Sequence, residues 1–109
     1  MELKRGDVVL VSAPGSYGKP RPGVIVQSNY FKDTGSLTVL LMTSHLHDGL
    51  PLVRHRIMPS SVNGLLSVSE VMIDKLFTIP RERLRQKIGH LSSTEMVEIT
   101  ASLALFLGM

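Results

Sequence analysis

Apolar positions in this chain fall into short runs separated by turn residues, and their spacing sets the elements to expect. Val8-Val9-Leu10-Val11 follows the polar turn Arg5-Gly6-Asp7; it is rich in β-branched residues, of strand length, and predicts a first strand. Gly23 to Gln27 predicts a second and Ser36 to Met42 (SLTVLLM) a third, with the turn-rich Asn29 to Gly35 between them. Consecutive apolar positions in these runs imply burial on both faces. Leu52 to Met58 differs, because Val53, His55 and Ile57 alternate with Arg54, Arg56 and Met58. That is the period of a half-exposed strand whose arginine face should be wet. Ser69 to Phe77 is strand-like, although Asp74 and Lys75 interrupt it and leave a helix open there.

Pro80 suits the first position of a short helix running through Leu84, with its basic residues facing solvent. A longer helix is marked at both ends: Ser92-Ser93-Thr94-Glu95 is an S-x-x-E capping box, and Gly108 terminates the run after about Leu107. Met96, Ile99, Leu103 and Phe106 recur at helical spacing, and Leu105 and Leu107 widen the stripe. Such a face must pack on a sheet or on another chain. Five or six short strands, turn-length connections and one terminal helix argue for a mainly β fold, a mostly antiparallel curled sheet or small barrel. With 109 residues the chain reads as one domain, residues 1–109.

Composition narrows the setting. Hydrophobic residues at 43% and charged residues at 19% describe a chain that folds by itself. There are no cysteines, which excludes disulfides and thiolate metal sites and fits a reducing cytoplasm. The apolar run Val8 to Val11 is too short for a signal-peptide core or a membrane span, so no membrane role is expected. A net charge of +3 permits a polyanionic partner without requiring one.

The candidate chemistry is sparse. His45 and His47 share a face if extended, but no H-E-x-x-H pattern or carboxylate cluster completes a metal site; HLHDGLP reads as a solvated loop, and no metal is expected. Ser16 lacks the G-x-S-x-G elbow, and Gly15 to Lys19 lacks the spacing of a phosphate-binding loop. What remains suits a phosphodiester. GSYGKPRPGVIVQS places Lys19 and Arg21 at the mouth of the second strand, and Arg21 presents a planar, permanently charged fork that matches phosphate oxygens. Thr43 and Ser44 follow a buried strand and offer hydroxyl and backbone donors. The plainer alternatives are an exposed loop cation for Arg21 and a local turn residue for Thr43.

Taken in order, K-R-G-D-V-V-L-V, R-P-G-V-I-V-Q-S, L-T-V-L-L-M-T-S, L-F-T-I-P-R-E-R-L, K-I-G-H-L-S-S-T-E-M and A-L-F-L-G resemble the MazF/PemK (Kid) toxins of bacterial toxin–antitoxin modules, from about Lys4 to Gly108. The resemblance implies an SH3-like barrel with a C-terminal helix, a homodimer, and a cofactor- and metal-independent endoribonuclease that cuts single-stranded RNA at short sequences. It also implies a cognate acidic antitoxin. The family's arginine of R-P-x-x-V and the threonine ending its third strand fall on Arg21 and Thr43, the residues that phosphate chemistry singles out. The implied reaction is attack by a ribose 2′-hydroxyl on its own 3′-phosphate, leaving a 2′,3′-cyclic phosphate and a 5′-hydroxyl.

Two departures from the family pattern stand out. Ser16-Tyr17-Gly18-Lys19 replaces a longer first loop that often carries an acid or histidine, so Tyr17 is expected to stack a base, an interaction of roughly 1–3 kcal/mol in single-strand recognition. His45, two residues past Thr43, is the candidate for the missing base. Asp74 keeps the family's acid before Thr78-Ile79, whereas Lys75 and Phe77 replace its glutamine and arginine. Lys19, Ser44, His45, Asp74 and Tyr17 are therefore the expected substrate contacts. The rival readings are a non-enzymatic toxin on the same barrel, like the CcdB proteins that poison gyrase, and an inactive relative that only binds RNA or antitoxin.

Overall fold

The computed structural model describes residues 2–12 and 19–109. Six strands, β1 (Asp7–Val11), β2 (Arg21–Ile25), β3 (Ser36–Thr43), β4 (Arg54–Ile57), β5 (Ser69–Pro80) and β6 (Leu84–His90), precede a single α-helix, α1 (Ser93–Phe106). They form one antiparallel sheet in the order β4-β5-β3-β2-β1-β6.

Both faces of the sheet are apolar, as the consecutive hydrophobic runs require. Val8, Val24, Leu40, Met42, Ile57, Val71 and Ile73 form one core with Met96 and Ile99 of α1. Val9, Val11, Ile25, Leu37, Val39, Leu41 and Ile79 form a second, to which only Leu3 is added from outside the strands. These second-core residues are at most 6% exposed although no helix among the described residues packs on them, so the sheet has to curl over its own face. The bend is visible in the register. Between Leu40↔Leu76 and Met42↔Val71, β5 carries extra residues relative to β3, and β1 and β6 slip twice more. Such irregularities bend a strand and deepen its twist.

The helix ends as its sequence signals. Ser92 Oγ accepts the Glu95 N–H at 3.1 Å, while a Glu95 carboxylate oxygen accepts the Ser92 N–H at 2.8 Å. Gly108, at φ +77°, closes the other end, with its N–H donated to Leu105 and that of Met109 to Ala104. On β4, His55 points toward this helix and lies 3.6 Å from Glu98.

Several elements depart from expectation. β2 begins at Arg21 rather than Gly23, because Val11↔Arg21 and Leu10↔Pro22 already pair with β1; Arg21 is a strand residue, not a loop cation. β5 runs unbroken as strand through Asp74 and Lys75 to Pro80, since β3 pairs with both its halves, and the helix alternative is excluded. β4 is shorter than Leu52 to Met58, its start being taken up by a turn. After Pro80, which caps rather than enters it, only one 3-10 turn forms over Arg81–Arg83. Arg81 is not simply solvated there, because its guanidinium donates to the carbonyls of Thr34 and Lys32. β6 was not expected as a strand. It is an edge strand with no fully buried residue, so it lacks the hydrophobic alternation that announces one. Among the described residues no helix is long and apolar enough to cross a membrane.

Candidate active site

Arg21 opens β2 and Thr43 closes β3. The β2–β3 ladder ends at Gly23↔Leu41, and Arg21 and Thr43 lie two residues beyond that last pair, at the same end of the sheet. Thr43 pairs with Glu70 on β5 and Glu70 with Arg56 on β4. Three strands thus place Thr43, Glu70 and Arg56 in one line across the sheet, and Arg21 shares a cleft with Thr43 at its β3 end.

Lys19, Arg21, Thr43 and Ser44 line a cleft of about 600 Å³, with Leu10, Pro22, Met42, Leu65 and Ile88 as apolar walls. Arg21 and Ser44 are exposed, whereas Thr43 is 9% exposed. The Thr43 oxygen accepts the backbone N–H of His45 at 3.0 Å, a short side-chain turn that leaves the hydroxyl hydrogen to be donated elsewhere. A basic mouth and a buried hydroxyl donor are what a phosphate group entering the cleft would meet.

The other expected contacts are distributed differently. His45 is exposed and its side chain is not part of the cleft wall, because the turn on Thr43 uses its backbone and directs the chain onward. Asp74 is exposed on the stretch of β5 where the register slips, and it too stands outside the cleft wall. Tyr17 lies outside the described residues. Ser67, Ser69 and Gln86 line the cleft and were not foreseen. Gln86 belongs to β6, whose polar sequence gives no strand signal, and isolated serines in a turn-rich stretch carry none either.

The largest surprise concerns the arginine face of β4. Arg56 is half-exposed, as the alternation predicts, but it is also paired: its Nη2 donates to Glu70 at 2.8 Å and to Asp48 at 2.7 Å, while the more covered Arg54 has Nη1 3.9 Å from the same glutamate. Glu70 is 2% exposed and also accepts the His47 N–H at 2.9 Å. Burial pushes its carboxyl up, but the hydrogen bonds from Arg56 and His47 and the charges of Arg56 and Arg54 outweigh this and hold it below the usual carboxylate range. The bonds to Glu70 and Asp48 push the Arg56 guanidinium further up. The alternation of β4 gives its half-exposed face but not the buried acid on the neighbouring strand that pairs with it. Among the described residues no three His, Asp or Glu side chains gather as metal ligands.

Comparison with known proteins gives a consistent picture. Residues 4–107 match the family described as PemK-like, MazF-like toxin of type II toxin-antitoxin system. The chain is 44% identical over 108 residues, 98% of either chain, to a probable endoribonuclease MazF of Mycolicibacterium smegmatis. It is 28% identical over 115 residues to an endoribonuclease MazF of Staphylococcus epidermidis, covering 98% of this chain and 92% of that one. Its fold matches a solved mycobacterial endoribonuclease in complex with its cognate antitoxin, with a TM-score of 0.81, 21% identity, and coverage of 98% and 96% of the two chains.

Proposed function

Because the chain belongs to the family of PemK-like, MazF-like toxins of type II toxin–antitoxin systems, we propose that it is a metal-independent endoribonuclease, acting as a single domain over residues 1–109 in the cytoplasm. The observation that carries this reading is the cleft at the end of the β2–β3 ladder, which supports a joint role for Arg21 and Thr43. The name of the mycolicibacterial relative supports RNA as the substrate.

In the reaction, the 2′-hydroxyl of a single-stranded RNA attacks its adjacent phosphorus, and the bond to the 5′-oxygen of the next nucleotide breaks. The proton lost from the 2′-oxygen is balanced by one gained from solvent at the leaving 5′-oxygen. Negative charge grows on the non-bridging oxygens as the pentacoordinate state forms. Arg21 faces that charge with its fork of donors, and the Thr43 hydroxyl donates to the same group; fixed donors aimed at a developing oxyanion contribute on the order of 3 kcal/mol each. Arg21 is charged throughout the neutral range and acts by electrostatics rather than as a base. Ser44 and Lys19 hold the neighbouring phosphate and backbone, Tyr17 stacks a base, and His45 and Asp74 contact the strand beyond the cleft. Two copies form the working toxin, and an acidic antitoxin competes with RNA for its cations.

Incubating the purified chain with a long single-stranded RNA in EDTA tests this. Discrete cuts ending in 2′,3′-cyclic phosphate are expected, with Arg21→Ala slowing them by about 10²–10³-fold while the fold is retained. Intact RNA together with arrested gyrase would establish the non-enzymatic rival instead.

A further inference from the structure

Glu70 is an anomaly in a sheet whose other inward positions are almost all apolar. It is a carboxylate at 2% exposure, in the middle of the row Thr43–Glu70–Arg56. Burying an ion pair rarely stabilises a fold more than apolar residues of the same size would. What such a pair supplies is fixed geometry, and here the geometry belongs to the chain that leaves Thr43.

That chain is tied down at successive points. The His45 N–H bonds to Thr43 Oγ1, the His47 N–H to Glu70 Oε1, and the Asp48 carboxylate to Arg56. Arg56 joins the last two anchors, since the same Nη2 serves Asp48 and Glu70 Oε2. Thr43 and Ser44 look into the larger cleft, whereas His47 and Asp48 line a smaller one of about 280 Å³ together with Arg54, Arg56 and Glu70. The segment is therefore a partition with the reactive groups on one side and the ion pairs on the other.

We propose that Glu70, held by Arg56, is a positioning residue for RNA cleavage: it fixes the segment from Thr43 to Asp48 so that the Thr43 hydroxyl and Ser44 stay aimed at the scissile phosphate. The inference rests on the reading of Arg21 and Thr43 given above. Neither Glu70 nor Arg56 touches the substrate. Their effect appears in the rate of the bound complex rather than in its formation, because a small displacement of a donor weakens the transition state more than the ground state.

The test uses the full chain with Arg56→Ala, Arg56→Lys and Glu70→Gln, read by steady-state cleavage of a defined RNA and by amide hydrogen exchange at His45 and His47. Arg56→Ala is expected to lower kcat about tenfold or more with KM within about twofold, and to speed exchange at His47. Arg56→Lys restores part of the rate by returning the charge without the fork. Should Glu70→Gln fail to fold, the half-exposed Arg56 decides. Folded Arg56 variants with wild-type kcat, or a lost kcat with unchanged exchange at His47, would overturn the proposal. Wild-type cleavage abolished by Arg21→Ala but untouched by Arg56→Ala would overturn it alone; wild-type protein that leaves RNA intact would overturn the reading of the cleft as well.

Discussion

At Glu70 burial and its partners act in opposite directions on one carboxyl, and the partners win. Arg54 and Arg56 face it from β4 and the His47 N–H from the chain after β3, while Asp48 shares Arg56 with it. A carboxyl held below its unfolded value stabilises the fold fully above that value, and the contribution is lost as pH falls through the lower, folded value. Stability should therefore be flat with respect to this group near neutrality and drop in the acid range. Glu70→Gln removes the titration, so its melting temperature should fall less steeply than that of wild type between about pH 5 and pH 2. Parallel acid limbs for the two proteins would rule out Glu70 as their source. This residue also marks the boundary of what the sequence discloses. Arg21 and Thr43 are legible because guanidinium and hydroxyl chemistry and the ordered motifs around them agree. Glu70 is not, because a lone glutamate inside an apolar run looks like a surface residue until the register puts Arg56 beside it.

Among elements, those with local signals are legible and those fixed by distant pairing are not. The capping box and the glycine terminator define α1 within a residue, since both act through bonds to neighbours in sequence. β6 and the unbroken course of β5 depend on partners elsewhere in the chain. The same division orders their sensitivity to mutation. Gly64 has φ +71°, and a Cβ there would overlap the Ile88 carbonyl of β6; Gly89 meets the Val62–Asn63 backbone from the other side. The turn carrying Gly64 and Leu65 thus presses directly on β6 where both line the cleft. Gly64→Ala adds left-handed strain to a backbone collision and should cost above about 2 kcal/mol, against about 1 kcal/mol for Ser92→Ala, which loses only a cap. Thermal melts of the two variants would rank them, and a Gly64→Ala protein as stable as Ser92→Ala would mean that this contact is loose.

For the whole molecule, the open question is what covers the end of α1. Met96 and Ile99 are buried on the sheet, yet the same stripe emerges two turns later, with Phe106 49%, Leu107 50% and Met109 90% exposed and Leu105 64% exposed beside them. Scattered apolar side chains on a surface need no explanation, but four of them in the last turn and its cap form a continuous apolar end. Among the described residues, Leu103 is the last large apolar residue of α1 packed against the core, and the end beyond it is left uncovered. A second copy meeting it by twofold symmetry would bury the patch on both chains at once, which makes a dimer the economical solution for a chain of this size. Sedimentation at micromolar concentration is expected to give a dimer, and Phe106→Asp, placing a charge in the patch, should shift it toward monomer while leaving the melting of the monomeric fold nearly unchanged. A wild-type monomer under those conditions, or a Phe106→Asp dimer of undiminished affinity, would place the covering surface elsewhere. The consequence for activity is separate and measurable: Arg21 and Thr43 come from the same chain, so a folded Phe106→Asp monomer that still cleaves RNA would show that dimerisation serves stability or antitoxin binding rather than the reaction centre.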